Sequence, residues 1–123
     1  MNISKLLGGE PLCTPEAVRI EVYLPCAETS LSHEYWVKAV ARLLAQACGG
    51  ATVTQGAGYW VPNAGGELCE EPVTVVMAYG SPAPFELTPL RKLLVQFGRE
   101  TEQECVAFAV DGRLYGFNPK HVL

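Results

Sequence analysis

Val18-Arg19-Ile20-Glu21-Val22-Tyr23-Leu24 alternates apolar and polar positions, the period of a strand buried on one face. The spacing turns Val18, Ile20, Val22 and Leu24 inward and Arg19, Glu21 and Tyr23 to the opposite side, and Pro25 ends the run. From Tyr35 the period lengthens. Tyr35, Trp36, Ala39, Val40, Leu43, Leu44 and Ala47 recur at helical spacing, while Glu34, Lys38, Arg42 and Gln46, each four residues from the next, make a wet side. Ser30 or Ser32 is placed to cap this helix, Glu34 suits its first turn, and Gly49-Gly50 stop it.

Residues 51–61 read as a second strand of small side chains, in which Gly56 and Gly58 predict a bulge, a bend or a close approach to the backbone. A turn cluster, Pro62-Asn63-Ala64-Gly65-Gly66, joins it to a third strand over Glu71–Tyr79, an antiparallel hairpin. After the loop Gly80–Pro84, Leu87, Leu90, Leu93, Leu94 and Phe97 mark a second amphipathic helix, with Thr88-Pro89 as its cap and first turn and Gly98 at its end. Cys105–Val110 and Arg113–Phe117 flank Asp111-Gly112, the signal of a type I′ hairpin. The order β-α-β-β-α-β with one further strand predicts an α+β two-layer sandwich, ferredoxin-like, with both helices on one face of an antiparallel sheet and an extra C-terminal hairpin strand. Residues 1–16 are expected to form a loosely ordered arm, 17–118 a single domain and 119–123 a tail.

Such a sheet leaves one face without helices. Alternation places Arg19, Glu21 and Tyr23 there. If Val73, Val75 and Met77 face the helices, Thr74 and Val76 are open, and Thr52, Thr54 and Trp60 can join them. The last strand fits either phase. The favoured one opens Phe108 and Val110, because aromatic residues with small neighbours suit interfaces; the other phase packs them under the helices and leaves a merely mixed face. In the favoured phase the open face is too apolar to be left to water and marks an interaction site.

Composition narrows the functions. The chain has 123 residues, 49% of them apolar, and nine Lys+Arg against thirteen Asp+Glu give a net charge of −4. That balance argues against binding to phosphate backbones, where a basic face carries the affinity. No run approaches the ~20 apolar residues of a membrane span. The N-terminus is too short and broken for a signal segment, so a cytoplasmic protein is expected. Five cysteines, scattered and without a C-x-x-C pair, read as reduced and mostly structural.

No side-chain pattern predicts a catalytic centre, a metal site or a cofactor. Cys26 and His33, across the loop after the first strand, can be drawn together as a thiolate–imidazole pair, although a surface His beside a capping serine is the plainer account. Glu71 at a strand start would serve as a general base if buried, whereas charged strand ends are common at solvent edges. Tyr59-Trp60, after a glycine that leaves room for a ligand ring, is the most suggestive aromatic pair.

Trp36 on the first helix, Gly49-Gly50-Ala51-Thr52-Val53 opening a strand, Gly58-Tyr59-Trp60, a glycine at 65 or 66 and Glu71-Pro72-Val73 together resemble a family of short bacterial proteins catalogued as a domain of unknown function. The resemblance covers residues 18–110, implies a ferredoxin-like fold and carries no activity or catalytic residue. Two functions from different classes are therefore expected. One is a small interaction protein that covers its open face by homodimerisation or with a partner protein, through Arg19, Glu21, Tyr23, Trp60 and Val76. The other is a cofactor-free enzyme or carrier of a small apolar ligand, with Tyr23, Tyr59, Trp60 and Glu71 lining a pocket between sheet and helices and Cys26 or His33 at its mouth.

Overall fold

The computed structural model describes residues 1–26, 31–62 and 65–122. A one-turn helix α1 (Ile3–Leu6) precedes β1 (Val18–Pro25), α2 (His33–Cys48), β2 (Thr52–Trp60), β3 (Cys69–Gly80), α3 (Pro84–Glu100), β4 (Val106–Val110) and β5 (Arg113–Phe117), followed by a 3-10 turn over Pro119–His121. The strands form one five-stranded sheet in the order β2-β3-β1-β4-β5, every neighbouring pair antiparallel. The chain is thus an α+β protein. Ser30, one of the two candidate caps, lies outside the described residues, as do Asn63 and Ala64 of the turn and Leu123.

Local chemistry explains the element ends. The Ser32 hydroxyl accepts the Tyr35 N–H at 3.2 Å, and Gly49 closes α2 in the left-handed region at φ +96°. Asp111 and Gly112 both take positive φ, 51° and 80°, as a type I′ turn demands. The Asp111 carboxylate also accepts the Arg19 N–H at 2.8 Å, while its own N–H donates to the Arg19 carbonyl at 2.9 Å, so the turn is stitched to β1.

Helix α3 departs from the pattern-based expectation at both ends. It begins at Pro84, not at Thr88-Pro89, because Pro84 sits in the first turn where its missing N–H is no loss, and the Glu86 carboxylate reaches back to the Ala83 N–H at 2.9 Å. Pro89 falls in the second turn and forfeits a single ladder bond on an exposed side of the helix. Gly98 does not stop the helix. It lies buried within it because a Cβ there would stand 2.6 Å from both Pro119 Cγ and Val106 Cγ2. Residues 119–122, expected as part of a tail, are docked on this contact: Pro119 is buried, and the Arg99 guanidinium donates to the carbonyls of Pro119 (2.8 Å) and Val122.

Trp36, Val40 and Leu44 of α2 and Leu90, Leu94 and Phe97 of α3 share one core with Ile20, Val22 and Leu24 of β1, Val76 and Ala78 of β3, and Val106 of β4. Trp36 and Phe97 meet edge to face, ring centroids 5.6 Å apart. Both long helices therefore cover the same side of the sheet. The β2–β3 register runs unbroken from Thr52↔Met77 to Trp60↔Cys69, so Gly56 and Gly58 make no bulge. Gly58 serves close approach instead: a Cβ there would meet Val73 Cγ2 at 2.8 Å.

Two face assignments are corrected by these pairings. Val76 pairs with Val22 and is fully buried beneath the helices, so it does not belong to the open face, and Val73, Val75 and Met77 do. The reason is Thr74. This lone polar residue of the run is 1% exposed, its hydroxyl donating to Gln55 Oε1 at 2.9 Å and accepting from His33 Nε2 at 2.8 Å. A satisfied hydroxyl tolerates burial. Phe108 and Val110 likewise pair with Val22 and Ile20 and lie on the helix side, where Phe108 stacks on Tyr115 at 5.5 Å. The open phase of β4 belongs to Ala107 and Ala109, opposite Tyr23 and Glu21.

Candidate functional site

The side of the sheet without helices is built from alternate residues of its central strands. From β1 come Arg19, Glu21 and Tyr23; in register with them stand Tyr79, Met77 and Val75 of β3, and beyond these Thr52, Thr54, Gly56, Gly58 and Trp60 of β2. Along β1 the polar groups hold one another. Arg19 Nε lies 3.0 Å from Glu21 Oε1, and the Tyr23 hydroxyl donates to Glu21 Oε2 at 3.5 Å. Partial burial pushes the Tyr23 phenol above its ordinary pKa; the Glu21 charge and hydrogen bond add to that, and the Arg19 charge partly opposes it.

Beside this ladder runs a groove of about 300 Å3, walled by Tyr23 and Pro25, Val73 and Val75, and Cys105 and Ala107. Gly56, Ala57 and Gly58 of the edge strand β2 complete the lining with small residues. Glu71 faces the same way as its register partner Gly58, is half-buried, and has no hydrogen-bond or ion-pair partner among the described residues. Trp60, 45% exposed, sits at the end of the same face beside Cys69.

The structure thus brings Arg19, Glu21, Tyr23, Trp60 and Glu71 to one face and separates the others from it. Tyr59 has the opposite parity to Trp60 and points to the helix side at the sheet margin, 59% exposed. The two aromatics do not form one pocket between sheet and helices. His33 is turned to Thr74, and among the described residues its buried Nδ1 has no hydrogen-bond partner. Cys26 is exposed, its backbone N–H held by the Pro72 carbonyl at 2.9 Å, and among the described residues no hydrogen bond joins it to His33. The face gains three residues that the hydrophobic pattern had assigned elsewhere, Val73, Val75 and Met77. Their parity is visible only through the pairing of β3 with β1. Among the described residues no group of three or more His, Cys, Asp or Glu side chains is placed to hold a metal ion, and no helix is long and apolar enough to cross a membrane.

This arrangement can bury apolar surface and present the Glu21 carboxylate beside the Tyr23 phenol.

No protein-family model matches the chain, and no curated protein sequence matches it. Solved structures resemble it in fold. A phage SAM lyase in complex with S-methyl-5'-thioadenosine aligns with a TM-score of 0.60 over 92% of this chain and 98% of that one, at 10% sequence identity. A phage SAM lyase in the apo state aligns at 0.48 over 83% and 87%, at 18% identity. A Bacillus cereus protein related to NIF3 aligns at 0.49 over 88% of this chain and 27% of its own length, at 19% identity. At 10% identity the likeness to the first of these is one of fold.

Proposed function

We propose that this chain is a small interaction protein that works by burying the helix-free side of its sheet against a second copy of itself. The observation that carries the reading is the composition of that side: Val73, Val75 and Met77 flank Tyr23 at its centre, and charge is confined to β1 and Glu71. Five strands at ~4.8 Å spacing and eight residues of β1 at ~3.3 Å each make a face of about 600 Å2 in projection. That is near the ~800 Å2 per partner of a standard interface. The element order and the strand order β2-β3-β1-β4 support reading the fold as ferredoxin-like with β5 appended. The exposed, unpaired thiols of Cys13, Cys26 and Cys105 suit a reducing, cytoplasmic setting. Light scattering and sedimentation test the association: the expected mass is twice the 13.3 kDa of one chain, and Trp60→Ala weakens assembly. A monomeric mass at every concentration overturns it.

A second reading, an enzyme or carrier acting on a small molecule at the same face, is favoured by Glu71. A half-buried carboxylate without a partner among the described residues, on the same face as the groove and as Tyr23 and Trp60, suits a flat ligand bearing positive charge. The fold likeness to a lyase named for SAM supports sulfonium nucleosides as the class to try. Calorimetry with SAM and with S-methyl-5'-thioadenosine, on the wild type and on Glu71→Gln, separates the readings. Binding of SAM that Glu71→Gln abolishes favours the second, and no binding of either compound removes it.

A further inference from the structure

The opposite side of the sheet holds a separate feature. Between α3 and the strands β1, β4 and β5 lies a cavity of about 330 Å3. Its walls are Leu87 and Leu90 from α3, Phe108 and Val110 from β4, Phe117 from β5, and Arg91 as the single charged side chain in the lining. Four of these walls, Leu87, Phe108, Val110 and Phe117, are only half-buried, so the space opens to solvent. Protein interiors are close-packed, and an apolar void less than half this size can already take up benzene. The tail closes one end, where Val122 contributes to the lining and its carbonyl is held by Arg99.

Arg91 gives the cavity its chemistry. Arg91 is exposed, and neither ion pair among the described residues involves it. An apolar chamber whose lining includes one exposed arginine is complementary to an apolar chain ending in a carboxylate, which a guanidinium can grip with two parallel hydrogen bonds. At ~30 Å3 per water-sized group the volume holds about eleven non-hydrogen groups.

We propose that this cavity is a binding site for an unbranched aliphatic monocarboxylate of about eight to ten carbons, with its chain against Leu90 and Phe108 and its carboxylate on Arg91. The site is independent of the open face on the other side of the sheet.

The test is titration of the full chain with decanoate and with decanol, followed by calorimetry and by the 13C-methyl resonances of Ile20, Leu87 and Val110. Decanoate is expected to bind, to shift those methyls, and to bind about fivefold more tightly than decanol. Arg91→Gln, an exposed substitution that leaves the fold intact, brings decanoate down to the level of decanol. Leu87→Phe, at the half-buried rim, and Val110→Phe fill the chamber and abolish binding of both ligands. Absence of decanoate binding to the wild type overturns the proposal. So does equal affinity for the two ligands that Arg91→Gln leaves unchanged, or binding that survives in folded filled variants.

Discussion

Val75 and Val76 adjoin in sequence, yet an aspartate at each should have opposite consequences. Val76 is fully buried under α2. A carboxylate there has no partner, and even after protonation or partial hydration the cost is several kcal/mol, against a total stability of about 5–15 kcal/mol for an ordinary domain. Val76→Asp should therefore lack a cooperative thermal transition. Val75 lies on the helix-free side between Tyr23 of β1 and Thr54 of β2. In the free chain Val75→Asp keeps its hydration and costs only about 1 kcal/mol of strand preference. In an assembled pair the same carboxylate must be desolvated near the middle of the contact. At ~1.4 kcal/mol per tenfold, a penalty of about 3 kcal/mol weakens association roughly a hundredfold. Circular dichroism reads the fold of each variant, and sedimentation across a concentration series reads its mass. The expected result is a folded, monomeric Val75→Asp beside an unfolded Val76→Asp. If Val75→Asp unfolds as Val76→Asp does, the two faces are assigned the wrong way round. If it folds and assembles like the wild type, the open face is not the contact.

Thr74→Val removes a buried hydroxyl that serves both Gln55 and His33; with the added methyl offsetting part of the loss, it should cost about 1 kcal/mol and lower the melting temperature by about 4 °C, and an unchanged melt would show that the hydroxyl contributes nothing. Gly98→Ala forces a Cβ to within 2.6 Å of Pro119 and Val106 and should destabilise by about 1–3 kcal/mol, with exchange protection lost first around residues 119–122; a wild-type melt would refute the tight fit. The Cys48 thiol is held above its ordinary pKa, first by burial and then by the charges of Glu86 and Cys13. Iodoacetamide should therefore modify exposed Cys13, Cys26 and Cys105 well before Cys48 in a peptide-mapped time course. The sign for stability follows: a folded-state value raised above the unfolded one loses stability as pH climbs through it. Equal alkylation rates at all four thiols would contradict this.

How much of this was legible beforehand depends on whether one residue's environment is local. The alternation of β1 is local, and Ile20, Val22 and Leu24 are buried as their spacing requires. The Asp111-Gly112 turn is local too, because positive φ at both positions is a property of the dipeptide. The phase of β3 is not. Val73, Val75, Val76, Met77 and Ala78 are apolar on both sides of the strand, so the lone polar residue, Thr74, points the pattern the wrong way. Its burial depends on a hydroxyl bonded to side chains nineteen and forty-one positions away. The start of α3 was missed for a related reason. Ala83 offers no capping oxygen, and the group that satisfies its N–H comes from Glu86, three residues on.

The two proposed sites share β1, and the period of the strand keeps them separable. Val22 contributes to the cavity under α3, and its neighbour Tyr23 walls the groove on the far side. Because successive side chains project to opposite faces, a change at Tyr23 or Val75 alters the helix-free side and leaves the chamber walls in place. A change at Val110 or Arg91 does the reverse. Failure of association in Val75→Asp with decanoate binding retained, or loss of decanoate binding in Arg91→Gln with association retained, would each locate a function on one side of a sheet a single strand thick. Loss of both together from either substitution would mean that the faces communicate through β1 and β4, the paired strands that each contribute residues to both sites.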